Sequence, residues 1–350
     1  MLSQRAETVL KSIVEQYISR PAPVPSQSIP FHCQLEVSPA TIRNEMAYLE
    51  DEGFISRPHT SAGAVPSDRG YRYYVESLID LKLPAVEQRL ITHLFHQVEG
   101  ELEEWLRLAA SIIAQMVQNV AVVSRPKPTG CRLKHLELVS LQDSLVLVIL
   151  VLHGAIVKQQ LIIFDRVATQ PELSTVAGKL NHLYQDLSYL QIQTKADSLS
   201  PVEQQGKDCM LKMMQAEDEV QYDKPYLDGL HFFVDQPEFT HVHQIQELMR
   251  VVERGDLLKV IMPPQLNTPE VTVVIGRENK AESIHNCSVV ISQYGLHGEA
   301  VGTIGVVGPT RMPYAHAIPT VDYLSAVLGR LVAELYGKEY EGADINGTAR

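Results

Sequence analysis

Apolar residues in the first 80 positions recur with a helical period, broken once by short runs of a different kind. Val9, Leu10, Ile13, Val14 and Tyr17 mark one face of a helix over Arg5–Ile18. Three prolines between Arg20 and Pro25 impose a turn. A second helix over Ser26–Cys33 is expected to be short or to start late, because Pro30 removes a donor and clashes one turn back. Ile42, Met46 and Leu49 then fall at i, i+4 and i+7, one buried face of a third helix. Ser38 suits its N-cap and Pro39 its first turn. Glu50–Gly53 ends it. Phe54–Arg57 reads as a strand, His59–Gly63 as a turn and Ala64–Pro66 as a returning strand. Asp68–Lys82 is again helical, with Tyr71, Tyr74, Val75, Leu78 and Ile79 on one stripe.

Beyond Pro84 the pattern predicts helices over Val86–Val98 and Leu102–Val120. After Arg125-Pro126-Lys127-Pro128 it changes to strands over Leu133–Leu141, Leu145–Leu152 and Ile156–Phe164. The unbroken apolar run at Leu145–Leu152 reads as a central strand buried on both faces. Helices follow over Glu172–Leu187, Pro201–Glu219 and His241–Met262. Strands resume at Val271–Ile275, Cys287–Tyr294 and Ala300–Val307, and a helix over Asp322–Tyr336 precedes a polar tail. Strands on both sides of a helical middle predict one sheet domain split by an insertion, in an α+β chain. The strands Leu145–Leu152 and Ala300–Val307 are then expected to share a sheet.

The exposed face of the third helix carries Ala40, Arg43, Asn44, Ala47 and Tyr48. Small residues permit close approach to a surface. Arginine pairs bidentately with guanine and asparagine with adenine, the chemistry of a major-groove reader. Taken alone, this face would be an ordinary solvated one; the strand pair behind it changes the reading to a helix-turn-helix with a wing. The 350 residues carry a formal charge of −12, and the first 80 hold seven cations against ten anions. Contact with DNA must therefore come from local placement of cations.

Four cysteines, Cys33, Cys131, Cys209 and Cys287, share no CxxC spacing and read as reduced, buried thiols. The charged N-terminus lacks the pattern of a signal peptide, and the longest apolar run, Ser144–His153, is too short for a bilayer. A cytoplasmic protein without a membrane partner is expected. His241 and His243 lie on different helix faces, and no serine elbow or metal-ligand spacing is present, so no enzyme, metal or cofactor is predicted. Gly298, Gly302, Gly305 and Gly308 match no phosphate-loop spacing and read as close backbone approaches. Arg311 reads as a pairing residue.

SPATIRNEMAYLEDEGFISRPHTSAG with PSDRGYRYYV, then YLDGLHFFVDQPEF, then NCSVVISQYGLHGEAVGTIGVVGPTRMPYAHAIPTVDYL closely resemble the HrcA family of bacterial heat-inducible transcription repressors. The resemblance covers nearly the whole chain. It implies a winged helix-turn-helix over 1–83 and a helical linker over 84–104. It further implies a GAF-like sheet domain over 105–165 and 270–340, interrupted by a dimerisation domain over 166–269, with a tail over 341–350. Implied partners are an inverted-repeat operator (CIRCE-like), a second copy of the chain and a GroEL-type chaperonin. On this reading Ser38, Ala40, Thr41, Arg43, Asn44 and Ala47 meet DNA from the helix, and Arg57, His59, Thr60 and Ser61 from the wing. Leu230, Phe232, Phe233, Leu248, Val251 and Val252 would form the dimer contact. The family commonly has arginine where this chain has Ala64, and Gly-Ser-Arg where it has Pro25-Ser26-Gln27, which predicts fewer phosphate contacts and a shallower salt dependence. The alternative is a metabolite sensor whose GAF-like domain controls the winged helix.

Overall fold

A computed structural model describes residues 2–30, 38–58, 63–79, 81–98, 101–127, 131–153, 156–219, 225–234, 236–239, 257–261, 270–296 and 300–338. Helices and antiparallel sheets are mixed in an α+β arrangement. The chain divides into two compact units. One comprises Met1–Arg125, Lys224–Gly295 and Gly302–Arg350, and the other Pro126–Asp223 with Leu296–Val301.

The first unit begins with α1 (Gln4–Ser19), capped by Ser3, whose hydroxyl accepts from the Ala6 N–H at 3.1 Å. Val9, Leu10, Ile13 and Val14 are wholly buried. Residues 26–28 form a turn and helical conformation starts at Ile29. Pro30 thus falls in a first turn, where its missing N–H costs nothing. Helix α2 (Pro39–Asp51) buries Ile42, Met46 and Leu49. It stops because Gly53 takes a left-handed φ of +74°, open to glycine without strain. The Gly53 N–H then reaches the Glu50 carbonyl and the Phe54 N–H the Leu49 carbonyl, both at 2.9 Å, a Schellman ending. Strand β1 (Ile55–Ser56) pairs antiparallel with β2 (Val65–Pro66), and Val24 and Ala64 exchange two hydrogen bonds of 2.8 Å beside them.

Helix α3 (Asp68–Glu76) is capped by Ser67 and stops a turn and a half short of the predicted Lys82. Ile79 lies 77% exposed past its end. Helices α4 (Ala85–Gln97) and α5 (Leu102–Val117) follow. Gln118 ends α5 in a left-handed conformation at φ 57°, three residues short of the predicted Val120, and Val120–Val123 forms strand β3, which the periodicity did not predict.

Before the first unit resumes, the second supplies β4 (Leu133–Gln142), β5 (Leu145–Leu152) and β6 (Val157–Ile163), an antiparallel sheet in that order. Helices α6 (Gln170–Tyr184) and α7 (Pro201–Glu219) pack against β4 and β5. Leu136, Leu138, Val146, Val148, Leu150 and Leu152 meet Leu173, Leu180, Met210 and Met214 in a separate core.

Strand β7 (Tyr226–Asp228) returns to the first unit, followed by β8 (Thr272–Ile275), β9 (Cys287–Leu296) and β10 (Ala300–Pro309). Together with β3 they form a five-stranded sheet in the order β7-β3-β10-β9-β8. Strand β3 lies between β10 (Ile304 opposite Val123) and β7 (Ala121 opposite Asp228). The long helix α8 (Tyr314–Leu335) packs on α5. It starts eight residues before the predicted Asp322, because Pro319 is accommodated inside it.

Two expectations are corrected. Leu145–Leu152 and Ala300–Val307 do not share a sheet: β5 pairs with β4 and β6, and β10 with β3. The second compact unit spans 126–223 with 296–301, and the resemblance places its insertion at 166–269. In addition, β5 is central in its sheet without being buried on both faces, since only alternate residues are enclosed. The predicted helix His241–Met262 lies outside the described residues except for Leu257–Ile261, which is helical.

Candidate nucleic-acid interface

Helix α2 presents its polar face because the opposite one is spent on the core. Ser38, Ala40, Arg43 and Asn44 are exposed, and Thr41 and Ala47 half-buried. The Ser38 hydroxyl accepts from the Thr41 N–H at 3.2 Å and lies 2.9 Å from the Thr41 hydroxyl, so these two define the start of the helix. Among the described residues Arg43 and Asn44 have no hydrogen-bonding or charged partner, which leaves their donors available. Tyr48, 42% exposed, extends the face.

Acidic neighbours are neutralised around this face. Glu45 accepts from Arg5 Nε at 2.6 Å, tying α1 to α2. Glu50 accepts from Arg57 Nε at 2.7 Å and from a second guanidinium N–H, tying α2 to the strand pair. The Arg57 guanidinium holds the Glu50 carboxyl below its usual range, and Glu50 raises Arg57 in turn. The repulsion implied by an acid-rich N-terminus is thereby reduced locally. Arg57 is consequently engaged, where the sequence left it free for phosphate. His59, Thr60 and Ser61 lie outside the described residues.

Ala64 is wholly buried at the root of the strand pair. The side chain at this position therefore faces the protein. The β10 glycines mark close packing, as their spacing predicted. A Cβ at Gly302 would lie 2.4 Å from the Tyr294 ring, at Gly305 2.6 Å from the Val290 carbonyl oxygen, and at Gly308 2.2 Å from Asn119 Oδ1. Arg311 is a pairing residue: it donates to Glu238 and to Gln236. The Tyr71 hydroxyl is buried without a hydrogen-bond partner among the described residues, and burial pushes its pKa well above the ordinary value.

A family model described as the HrcA protein C terminal domain matches residues 103–318. The heat-inducible transcription repressor HrcA of Dehalococcoides mccartyi is 52% identical over 344 residues, covering 98% of this chain and 100% of the relative. The chain belongs to the HrcA family. HrcA of Herpetosiphon aurantiacus is 40% identical over 345 residues, covering 96% of this chain and 97% of the relative. A crystal structure of a hypothetical protein at 2.2 Å resolution superposes with a TM-score of 0.60 at 20% identity, over 95% of this chain and 99% of that one, so the two share a fold.

Within this HrcA chain the expected dimer residues fare unevenly. Phe233 is 2% exposed and enclosed by its own chain, and Phe232 packs against the first unit's core. Phe232 and Leu230 are half-buried. Leu248, Val251 and Val252 lie outside the described residues. A different apolar surface emerges instead. Leu145, Leu147, Ile149 and Val151 occupy the outer face of β5, and Val157, Leu161 and Ile163 continue it on β6 at 61%, 55% and 74% exposure. Sequence pattern alone missed this surface, since a strand apolar on both faces gives no sign of what covers each face. Among the described residues, no helix is long and apolar enough to cross a membrane.

Proposed function

We propose that this chain represses heat-shock operons by binding an inverted-repeat operator, CIRCE-like, as a homodimer. In this reading α2 is the recognition helix and the β1–β2 ribbon is the wing of a winged helix-turn-helix. The five-stranded sheet with its helices is the GAF-like domain, and the second unit is the inserted dimerisation domain. The observation that carries the proposal is the exposed pair Arg43 and Asn44, without a partner among the described residues, on a helix whose other face is buried, beside carboxylates already neutralised by Arg5 and Arg57. Arg43 would reach a guanine and Asn44 an adenine, with Ser38, Ala40, Thr41 and Ala47 lining the approach. His59, Thr60 and Ser61 would meet phosphates or the minor groove from the wing, and Arg57 would join them once released from Glu50.

An inverted repeat requires two recognition helices related by a two-fold axis. The outer face of β5 and β6 supports this requirement, because an exposed apolar sheet of this kind is covered in a stable protein. Such a face also suits a GroEL-type chaperonin partner, which would meet it whenever copies are unpaired. A gel shift with an inverted-repeat duplex and its scrambled control tests the proposal. Equal affinity for the two duplexes would refute it.

A further inference from the structure

Helix α3 grips different parts of the first unit with two neighbouring rows of side chains. Arg69 and Tyr73 form one row, four residues apart. The Arg69 guanidinium lies 4.3 Å from the Phe54 ring centroid and donates to the Glu52 carbonyl at the end of α2. Tyr73 meets the same ring edge-on, with centroids 5.6 Å apart. Asp68 and Arg72 form the second row, directed at the five-stranded sheet. Arg72 Nε donates to Glu278 Oε1 at 2.8 Å, and its outer nitrogen donates to Glu278 Oε2 and, at 2.7 Å, to the Val273 carbonyl on β8. Glu278 also accepts from the Ile275 N–H at 2.8 Å, which fixes its carboxylate. Asp68 Oδ2 accepts from the Arg277 N–H at 3.0 Å. Gly276 adopts φ +52° there, and a Cβ on it would lie 2.4 Å from the Asp68 carboxylate. The backbone after β8 is thus shaped to receive α3.

We infer that Arg72 and Glu278 are positioning residues that set the orientation of α2 on the sheet and thereby the half-site spacing the dimer accepts. The inference rests on the DNA-binding reading above. Among the described residues, neither has a hydrogen bond or ion pair with the face that carries Arg43. Their side chains are 29% and 38% exposed, so the pair adds little to stability. The bidentate fork of arginine supplies direction, which a point charge does not. A dimer gains avidity from its second half-site only when both recognition helices are held at the right separation, a gain of about 10²–10⁴ that disappears when geometry forbids simultaneous engagement.

The full-length protein is assayed against a single half-site and a series of inverted repeats with spacing changed one base pair at a time. The wild type is expected to prefer one spacing by about tenfold or more. Arg72→Ala and Glu278→Gln are expected to keep half-site affinity within about twofold, to lose about tenfold on the preferred repeat and to separate the spacings by less than about threefold. Arg72→Lys keeps the charge without the fork and is expected to behave like the alanine variant. Thermal melting establishes that each variant is folded; Glu278→Gln, which preserves shape, carries the test if Arg72→Ala is not. A wild-type spacing profile in the folded variants would overturn the inference, as would parallel loss of half-site and repeat binding. If the wild type binds neither duplex, the DNA-binding reading itself fails.

Discussion

Glu50 occupies the arginine best placed to serve the wing, and removing its charge is predicted to strengthen DNA binding. In Glu50→Gln the side chain keeps its size but no longer holds Arg57 as an ion pair. Two changes follow: one guanidinium per protomer becomes available to a phosphate, and one carboxylate per protomer leaves the vicinity of the duplex. Each new phosphate contact steepens the dependence of log K on log salt by about 0.9, so a dimer on an inverted repeat gains about 1.8. Between 50 and 200 mM salt that slope amounts to about a 12-fold additional loss of affinity, an effect that a fluorescence anisotropy titration at four salt concentrations resolves. The cost to folding is small: Arg57 and Glu50 are 27% and 32% exposed, and such pairs contribute about 0–1 kcal/mol. Because Arg57 lowers the Glu50 carboxyl, the ion pair is present above the ordinary carboxylate pKa and is lost only as pH falls through that lowered value. The gain should therefore be flat from pH 6 to 8. Adding Arg57→Ala to the variant should cancel it. An unchanged salt slope in Glu50→Gln, with the protein folded, would show that Arg57 faces no phosphate.

Arg43→Ala should cost about 1–3 kcal/mol in operator binding and relax discrimination at one base pair, measured by competition among duplexes altered singly. Leu161→Glu with Ile163→Glu should convert the dimer to monomers in sedimentation velocity while half-site binding persists; a dimer unchanged by both would place the interface elsewhere. Gly276→Ala, which forces a side chain into the Asp68 carboxylate at an unfavourable φ, should lower the melting temperature; an unchanged melt would mean that α3 and the sheet do not meet closely there. Burial pushes the Cys287 thiol up to about 12 and the Cys131 and Cys209 thiols above their ordinary value. All three should resist a disulfide reagent at pH 8 in the native protein and react in guanidinium, as peptide mapping would show.

The helix Pro39–Asp51 was legible because its determinants are local. Ser38, Pro39, the spacing of Ile42, Met46 and Leu49, and Gly53 all act within 16 residues, and the structure uses each in the expected role. Strand β3 was not legible. It follows α5 without glycine or proline, and the left-handed stop falls on Gln118, a residue with no such signature. The run Leu145–Leu152 announced a strand but not its neighbours, since apolar side chains on both faces fit a sheet covered by its own chain and one covered by another. Arg57 was read as a DNA contact and Arg72 only as a positive charge. Their partners lie 7 and 206 positions away, and nothing in the local pattern says which carboxylate an arginine will meet.

The separation between Arg72 and Glu278 also has a meaning in time. A ribosome adding 5–20 residues per second needs roughly 10–40 s to cover that distance. Throughout that interval α3 has been made while its partners on the sheet side have not, among them the Glu278 carboxylate and Tyr314, whose ring centroid lies 6.1 Å from that of Tyr71. On the proposed reading, the segment that would read DNA is thus synthesised early and the residues that orient it late.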